Sequence, residues 1–188
     1  MNLVIFGPPG AGKGTQSSFI AKKFKLYQLS TGELLRNEIK NNTNLGKKIS
    51  SIINSGNLVS NELVDGLIEK YISDRTYQNK IIFDGYPRNL IQAQNLNDLL
   101  NKYNQKIHFA LRLTVGLDTI IKRIKERSTL EKREDDSEEI AIKRYKTYEK
   151  NIKPVIDFYK QSNLLKVING EASIIEINNE ISALIESI

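Results

Sequence analysis

The sequence predicts an α/β protein: a five-stranded parallel sheet with helices on both faces and two mobile inserts. Three observations carry this. Short apolar runs alternate with longer stretches of helical period, the pattern of strand–helix–strand crossovers. The runs are almost wholly apolar, as strands covered on both faces require. The first run ends in a glycine-rich loop that opens a helical stretch.

The expected strands are residues 3–6, 26–29, 80–83, 107–113 and 165–168. The clearest helical pattern covers 90–103, where Ala93, Leu96, Leu99, Leu100 and Tyr103 recur at helical spacing. A second helix is expected over 117–127. The stretch 137–161 is also periodic, but Pro154 is expected to kink or split it near Lys153. Two inserts interrupt the alternation. Residues 30–59 read as two short helices, the first starting at Ser30, whose spacing to Glu33 is that of a capping box. Residues 127–136 are polar, charge-dense and without period. With no repeat and no Pro-, Gly- or Ser-rich linker, 1–188 reads as one domain. Its core is 1–29, 60–126 and 137–188.

Composition bounds the function classes. A hydrophobic share of 39% supports a core, and a charged share of 27% suits a solvated surface. The net charge of +6 fits either a lysine-rich surface or a basic cleft that gathers polyanions. No long basic run or nucleic-acid-binding module accompanies it, so no nucleic-acid partner is expected. There is no cysteine, which excludes disulfides and thiolate–metal sites. No targeting segment precedes the first apolar run, and no stretch approaches a membrane span. The expectation is a cytoplasmic protein without a membrane partner.

The segment Gly7-Pro8-Pro9-Gly10-Ala11-Gly12-Lys13-Gly14-Thr15 lies between an expected strand and an expected helix. That context makes it a phosphate-binding loop, and the fold a P-loop NTPase fold. Its glycines let backbone N–H groups turn inward, the helix N-terminus adds positive potential, and Lys13 supplies a full charge. Gly14 stands where most such loops place a Ser or Thr that binds magnesium; the hydroxyl comes one place later, at Thr15. Magnesium is then held largely by phosphates and water. Asp84 closes the apolar run Ile81-Ile82-Phe83, a position from which a carboxylate orients the hydration shell of the ion. An ordinary Asp-Gly turn is the alternative there.

The continuation Gly85-Tyr86-Pro87-Arg88, then Gln92, together with Gly-Lys-Gly-Thr upstream, resembles the adenylate kinase family of nucleoside monophosphate kinases. The resemblance runs from Leu3 to about Ile168. It implies an enzyme that transfers a phosphoryl group from ATP to AMP, with Mg²⁺, giving two ADP. In that reading Gly10, Ala11, Gly12, Lys13, Gly14, Thr15, Arg123, Arg127 and Ala172 bind ATP. Thr31, Arg36, Asn57, Leu58, Val59, Gly85, Tyr86, Pro87, Arg88 and Gln92 bind AMP, with Arg133 and Arg144 bridging toward its phosphate. Lys13, Arg88, Arg123, Arg127, Arg133 and Arg144 form the catalytic cluster, and Asp84 acts on magnesium through water.

Gln92 bears on specificity. A carboxamide presents a donor and an acceptor together, matching the N1/N6 edge of adenine. Relatives preferring UMP or CMP usually carry Ser-Ala-Gly where this chain has Ser30-Thr31-Gly32, and Asn in place of Gln92. AMP is the expected acceptor, and a UMP/CMP kinase of the same fold the alternative.

Phosphoryl transfer between nucleotides concentrates negative charge at one point, so fixed cations and positioning carry the catalysis. Arg123 and Arg127, four residues apart, share a helix face. A solvated surface role stays open for Arg123 and Lys125. The segment from Arg133 to Asp136 resembles the family's Arg-x-Asp-Asp motif. Only residues 128–132 separate Arg127 from Arg133, a lid too short for the metal-binding sheet of the long-lid branch, so no zinc is expected. His108, the single histidine, reads as structural. Two other classes compete: a phosphate-loop regulatory module lacking an acceptor site, and a basic nucleic-acid binder. A monomer acting on small nucleotides is the expectation.

Overall fold

The computed structural model describes residues 1–131 and 137–187. The five strands are β1 (Asn2–Phe6), β2 (Tyr27–Ser30), β3 (Ile81–Asp84), β4 (Ile107–Thr114) and β5 (Leu165–Asn169). They pair in parallel in the order β2-β3-β1-β4-β5. Around them lie α1 (Lys13–Phe24), α2 (Thr31–Lys40), α3 (Asn44–Asn54), α4 (Asn61–Ser73), α5 (Leu90–Lys102), α6 (Leu117–Glu131), α7 (Glu138–Gln161) and α8 (Ile174–Glu186).

Alternation along the strands explains the two-faced sheet. Val4 and Phe6 of β1 join one buried cluster with Ile81, Phe83 and Ala110, packed against α4, α5 and α7. Leu3 and Ile5 join the opposite cluster with Ile82, Leu111 and Leu113, covered by Ile20 of α1 and by Ile177, Ile181 and Ile185 of α8. A strand sends successive side chains to opposite faces, so both registers must be apolar.

The N-terminal edge of the sheet is closed by amides. Asn2 is fully buried. Its Nδ2 donates to Gln105 Oε1 at 3.1 Å, and its Oδ1 accepts from Ile81 N at 3.0 Å. His108 sits in this seal: its Nδ1 accepts from Asn2 N at 3.2 Å, and burial lowers its pKa. It lies at the opposite end of the strands from the phosphate loop, in a structural position.

Two expectations are corrected. Of the kink or split expected at Pro154, the split does not occur: α7 runs as one helix from Glu138 to Gln161. Proline removes one backbone bond from the ladder, but Ile152, Val155 and Tyr159 bury one face across that position, and packing outweighs the loss. Likewise α6 does not stop at Arg127 but continues to Glu131. The Ser128 and Thr129 hydroxyls donate back to the Lys125 carbonyl, at 2.8 and 3.0 Å, so these polar residues are accommodated inside the helix.

The tyrosines are packed, not displayed. Tyr27, Tyr71 and Tyr77 pack on one another with ring centroids 4.4 to 5.5 Å apart, and Tyr86 and Tyr159 are buried. A base-stacking surface for nucleic acid would need them exposed.

Ile5→Ala should remove about 3 kcal/mol of stability, because the side chain is fully buried between β3 and β4. Ile175→Ala, at a position 73% exposed, should stay within about 0.5 kcal/mol. Paired urea unfolding curves check both.

Candidate active site

The C-terminal ends of β1, β3 and β4 open on the same side of the sheet. The chain leaves central β1 first toward β2 and later returns past it to β4, which places the phosphate loop at the reversal. Gly10 and Gly12 shape the loop with φ of +81° and +87°, a region side chains rarely adopt. Gly12 also caps α1. At Gly10 space matters too: a Cβ would meet Ile124 Cγ1 at 3.2 Å and Ile120 Cγ2 at 3.3 Å. Helix α6 therefore packs directly on the loop, and this contact sets where Arg123 and Arg127 sit.

Lys13 curls over the loop, donating from Nζ to the carbonyls of Gly7 at 3.0 Å and Pro8 at 2.9 Å. Burial pulls its pKa down to about 8; Asp84 opposes this, while Arg88, Arg144 and Arg127 reinforce it. The cationic groups thus converge on one point. Asp84, buried at the end of β3, accepts from Gln28 Nε2 at 3.1 Å. Burial raises its pKa, with Lys13 and the Gln28 hydrogen bond counteracting. Sequence reading passed over Gln28; its amide also lies 3.5 Å from the Gly14 carbonyl, tying β2 to both loop and carboxylate. Only the polar residue in a mostly apolar strand could have signalled it.

A cavity beside Lys13 is lined by Thr31, Gly32, Arg36, Asn57, Leu58, Val59, Gly85, Pro87, Arg88, Gln92 and Arg144. Its floor is the turn after β3. Gly85 has φ of +75°, and a Cβ there would press on Thr31 Oγ1 at 3.2 Å and Arg88 Nη2 at 3.3 Å. Arg88 Nε and Thr31 Oγ1 both donate to the Gly85 carbonyl, at 2.7 and 3.0 Å. Arg36 lies over Gly32, its Nη1 3.3 Å from where a Cβ would stand. The opposite wall is α7, where the Arg144 side chain packs on Gly56 and Lys143 Nζ donates to the Ser55 carbonyl at 2.7 Å.

Most of the residues expected to bind the acceptor thus meet in one cavity. Tyr86 is the exception. Its ring is buried, and its hydroxyl donates to Asp65 Oδ1 at 2.5 Å, anchoring the turn to α4. Burial and Asp65 raise its pKa. The expectation that Tyr86 binds AMP is left with the backbone alone.

The residues expected to bind ATP lie on the phosphate loop and the start of α1, on α6, and on the loop after β5. Ala11 is buried within the loop, and Gly14 and Thr15 are exposed on the first turn of α1. Arg123 Nη2 donates to the Gly170 carbonyl at 3.0 Å, and Glu171 accepts from Gly116 N at 2.7 Å, which lowers its pKa. Arg123 is therefore tied to the loop that carries Ala172. Lys125 forms a surface ion pair with Glu138 at 2.8 Å, away from this cluster. Arg133 lies outside the described residues, as do Asp135 and Asp136.

A magnesium ion would find a limited protein donor set. Among the described residues no group of three or more His, Cys, Asp or Glu could hold a metal ion. Asp84 Oδ2 is 3.8 Å from the position of a Cβ at Gly14, so the carboxylate opens toward the loop. One buried carboxylate beside a phosphate loop fits an ion carried by phosphates and water. Among the described residues no helix is long and apolar enough to cross a membrane.

Gly10→Ala should cost about 2 kcal/mol of stability, from its positive φ and from crowding Ile120 and Ile124. Gly14→Ala, whose Cβ meets nothing closer than 3.8 Å, should stay within about 0.5 kcal/mol or gain slightly. Thermal denaturation of the two variants side by side checks the contrast.

The same elements recur in known proteins. Residues 5–164 match the sequence profile of the family described as Adenylate kinase. An adenylate kinase of Pelagibacter ubique is 42% identical over 212 aligned positions, covering 99% of this chain and all of the relative. That alignment is longer than the 188 residues here, so the relative carries segments this chain lacks. An adenylate kinase of Prochlorococcus marinus strain NATL1A is 42% identical over 172 positions, covering 92% of this chain and 91% of its own. One from Archaeoglobus fulgidus is 34% identical over the whole chain and 99% of the relative. A profile match that takes in the phosphate loop, β2 to β4 and the turn after β3, with relatives this similar end to end, places the chain in the adenylate kinase family.

Proposed function

We propose that this protein catalyses ATP + AMP ⇌ 2 ADP, with magnesium, as a monomer in the cytoplasm. The convergence of Lys13, Arg88 and Arg144 between the phosphate loop and a cavity beside it supports this best. A regulatory phosphate-loop module would need no such cavity. Family membership supports the adenine pair of substrates, and no observation favours UMP or CMP.

In this reading the triphosphate lies along Gly10–Thr15, with Arg123 and Arg127 on its phosphates and the Ala172 loop against its base. AMP enters the cavity with its phosphate on Arg36 and Arg88. Its base lies against Asn57, Leu58, Val59 and Gln92. Arg144 and Arg133 bridge the two nucleotides. An AMP phosphate oxygen attacks the γ-phosphorus, a new P–O bond forms, and the bond to the β–γ bridging oxygen breaks. Lys13 moves with the transferred group, neutralising charge that grows on the leaving oxygen. Magnesium, when bound, would supply charge neutralisation to the phosphates, and Asp84 would hold it through water. No residue need become covalently attached.

Residues 30–59 act as a flap over AMP, and residues 127–136 as a short lid over ATP. Their closure excludes water, which would otherwise compete as acceptor. Lys143 and Arg144 of α7, which touch Ser55 and Gly56, are where the first flap meets the core.

A coupled assay with ATP–magnesium against AMP, UMP, CMP and GMP in parallel should give AMP the highest kcat/KM. Lys13→Met should lower turnover about a thousandfold, and Arg88→Ala should act mainly through acceptor use. Near-normal turnover in either variant, or a pyrimidine as the best acceptor, would contradict the assignment.

A further inference from the structure

Gln92 in the cavity wall is joined to two further side-chain amides, Asn89 and Asn61, and the orientations of all three are chemically forced. Arg88 N lies 2.8 Å from one end of the Gln92 carboxamide. A backbone N–H can only donate, so that end is the oxygen. The Gln92 N–H donates to Asn89 at 2.9 Å, so the accepting atom there is Asn89 Oδ1 by the same reasoning. The remaining ends, Gln92 Nε2 and Asn89 Nδ2, are donors, and both point at Asn61, each at 3.0 Å. Only an oxygen can accept from both. Asn61 Oδ1 is therefore the acceptor that fixes the amino end of Gln92.

One anchor holds an atom; two anchors at opposite ends hold a plane. The terminal torsion of glutamine is broad, so Arg88 N alone would leave the carboxamide free to swivel about its oxygen. With Asn61 added, one Nε2 hydrogen and one Oε1 lone pair remain unused. These form a donor–acceptor pair of fixed order. Adenine presents N1 as acceptor and its 6-amino group as donor, which match that order. Hypoxanthine is the same size but presents N1–H and O6, the reverse.

We propose that Asn61 is a positioning residue that fixes the Gln92 carboxamide and so enforces the choice of adenine over hypoxanthine in the acceptor nucleotide. The inference rests on the reading of Gln92 as the residue that meets the acceptor base. Asn61 itself starts α4, across 31 residues of chain from Gln92, and acts only through it.

The test measures kcat and KM with AMP and with IMP, at saturating ATP–magnesium, together with thermal midpoints. Asn61→Leu should lower the AMP-over-IMP ratio of kcat/KM about fivefold, the loss of one oriented hydrogen bond. It should act through KM for AMP more than through kcat. Asn61→Asp, whose carboxylate also accepts from both amino groups, should keep the ratio within about twofold. Asn61→Ala serves as a second truncation if the leucine variant does not fold, with the same drop expected. Gln92→Leu separates the two layers. A ratio that collapses in Gln92→Leu but stays at the wild-type value in Asn61→Leu or Asn61→Ala overturns the role of Asn61. Equal losses with AMP and IMP in the Asn61 truncations, with a lower thermal midpoint, would mean a merely structural residue and also overturn it. A ratio unchanged in Gln92→Leu overturns the reading of Gln92 on which the proposal stands.

Discussion

The placement of one charge, the Lys13 ammonium, organises this molecule. It is held on two loop carbonyls, faces a buried carboxylate, and is surrounded by arginines from three other segments. Keeping a cation there is unfavourable without a bound polyanion, since burial and the neighbouring guanidinium groups oppose it and Asp84 offsets them only in part. Stability is given up locally so that polyphosphate meets concentrated positive charge. The sign follows from the pKa: the folded protein releases the Lys13 proton more readily than the unfolded chain, so this site disfavours folding in full below about pH 8 and progressively less as pH rises from there toward the ordinary lysine value.

The rest of the fold serves that placement. Parallel pairing of β1 with β3 and β4 brings the phosphate loop, Asp84 and the turn after β4 to a single edge. The two apolar faces, covered by α1 and α8 on one side and by α4, α5 and α7 on the other, make the sheet rigid enough to hold them. Helix α6 reaches the loop only because residue 10 has no side chain. The amide at the acceptor cavity works differently: the Gln92 carboxamide is polar and buried, and is tolerated because Arg88 N and Asn61 Oδ1 each bond one of its ends.

What could be read from the sequence had short-range signatures. The five strands announce themselves as apolar runs, and each boundary falls within a residue or so of its expected place. The phosphate loop is legible because its glycines, lysine and flanking elements are contiguous. Features set by long-range packing were not legible. Pro154 signals a break, yet Ile152, Val155 and Tyr159 bury the helix through it. Tyr86 sits inside the most telling motif of the chain, yet its ring turns into the core toward Asp65. Gln28 and Asn61 look like ordinary polar residues until the fold brings them to Asp84 and Gln92, 56 and 31 positions away.

The account depends on Lys13 being a destabilised cation that an anion rescues, and the direct measurement is its titration. Carbon-13 NMR of lysine ε-methylene groups, with Lys13→Arg for assignment, reads the Lys13 pKa in the free protein and with ATP bound. In the free protein it should titrate near pH 8, against about 10.4 for an ordinary lysine, and bound nucleotide should move it upward. A Lys13 that titrates like the surface lysines in the free protein, or one unmoved by ATP, would contradict the account.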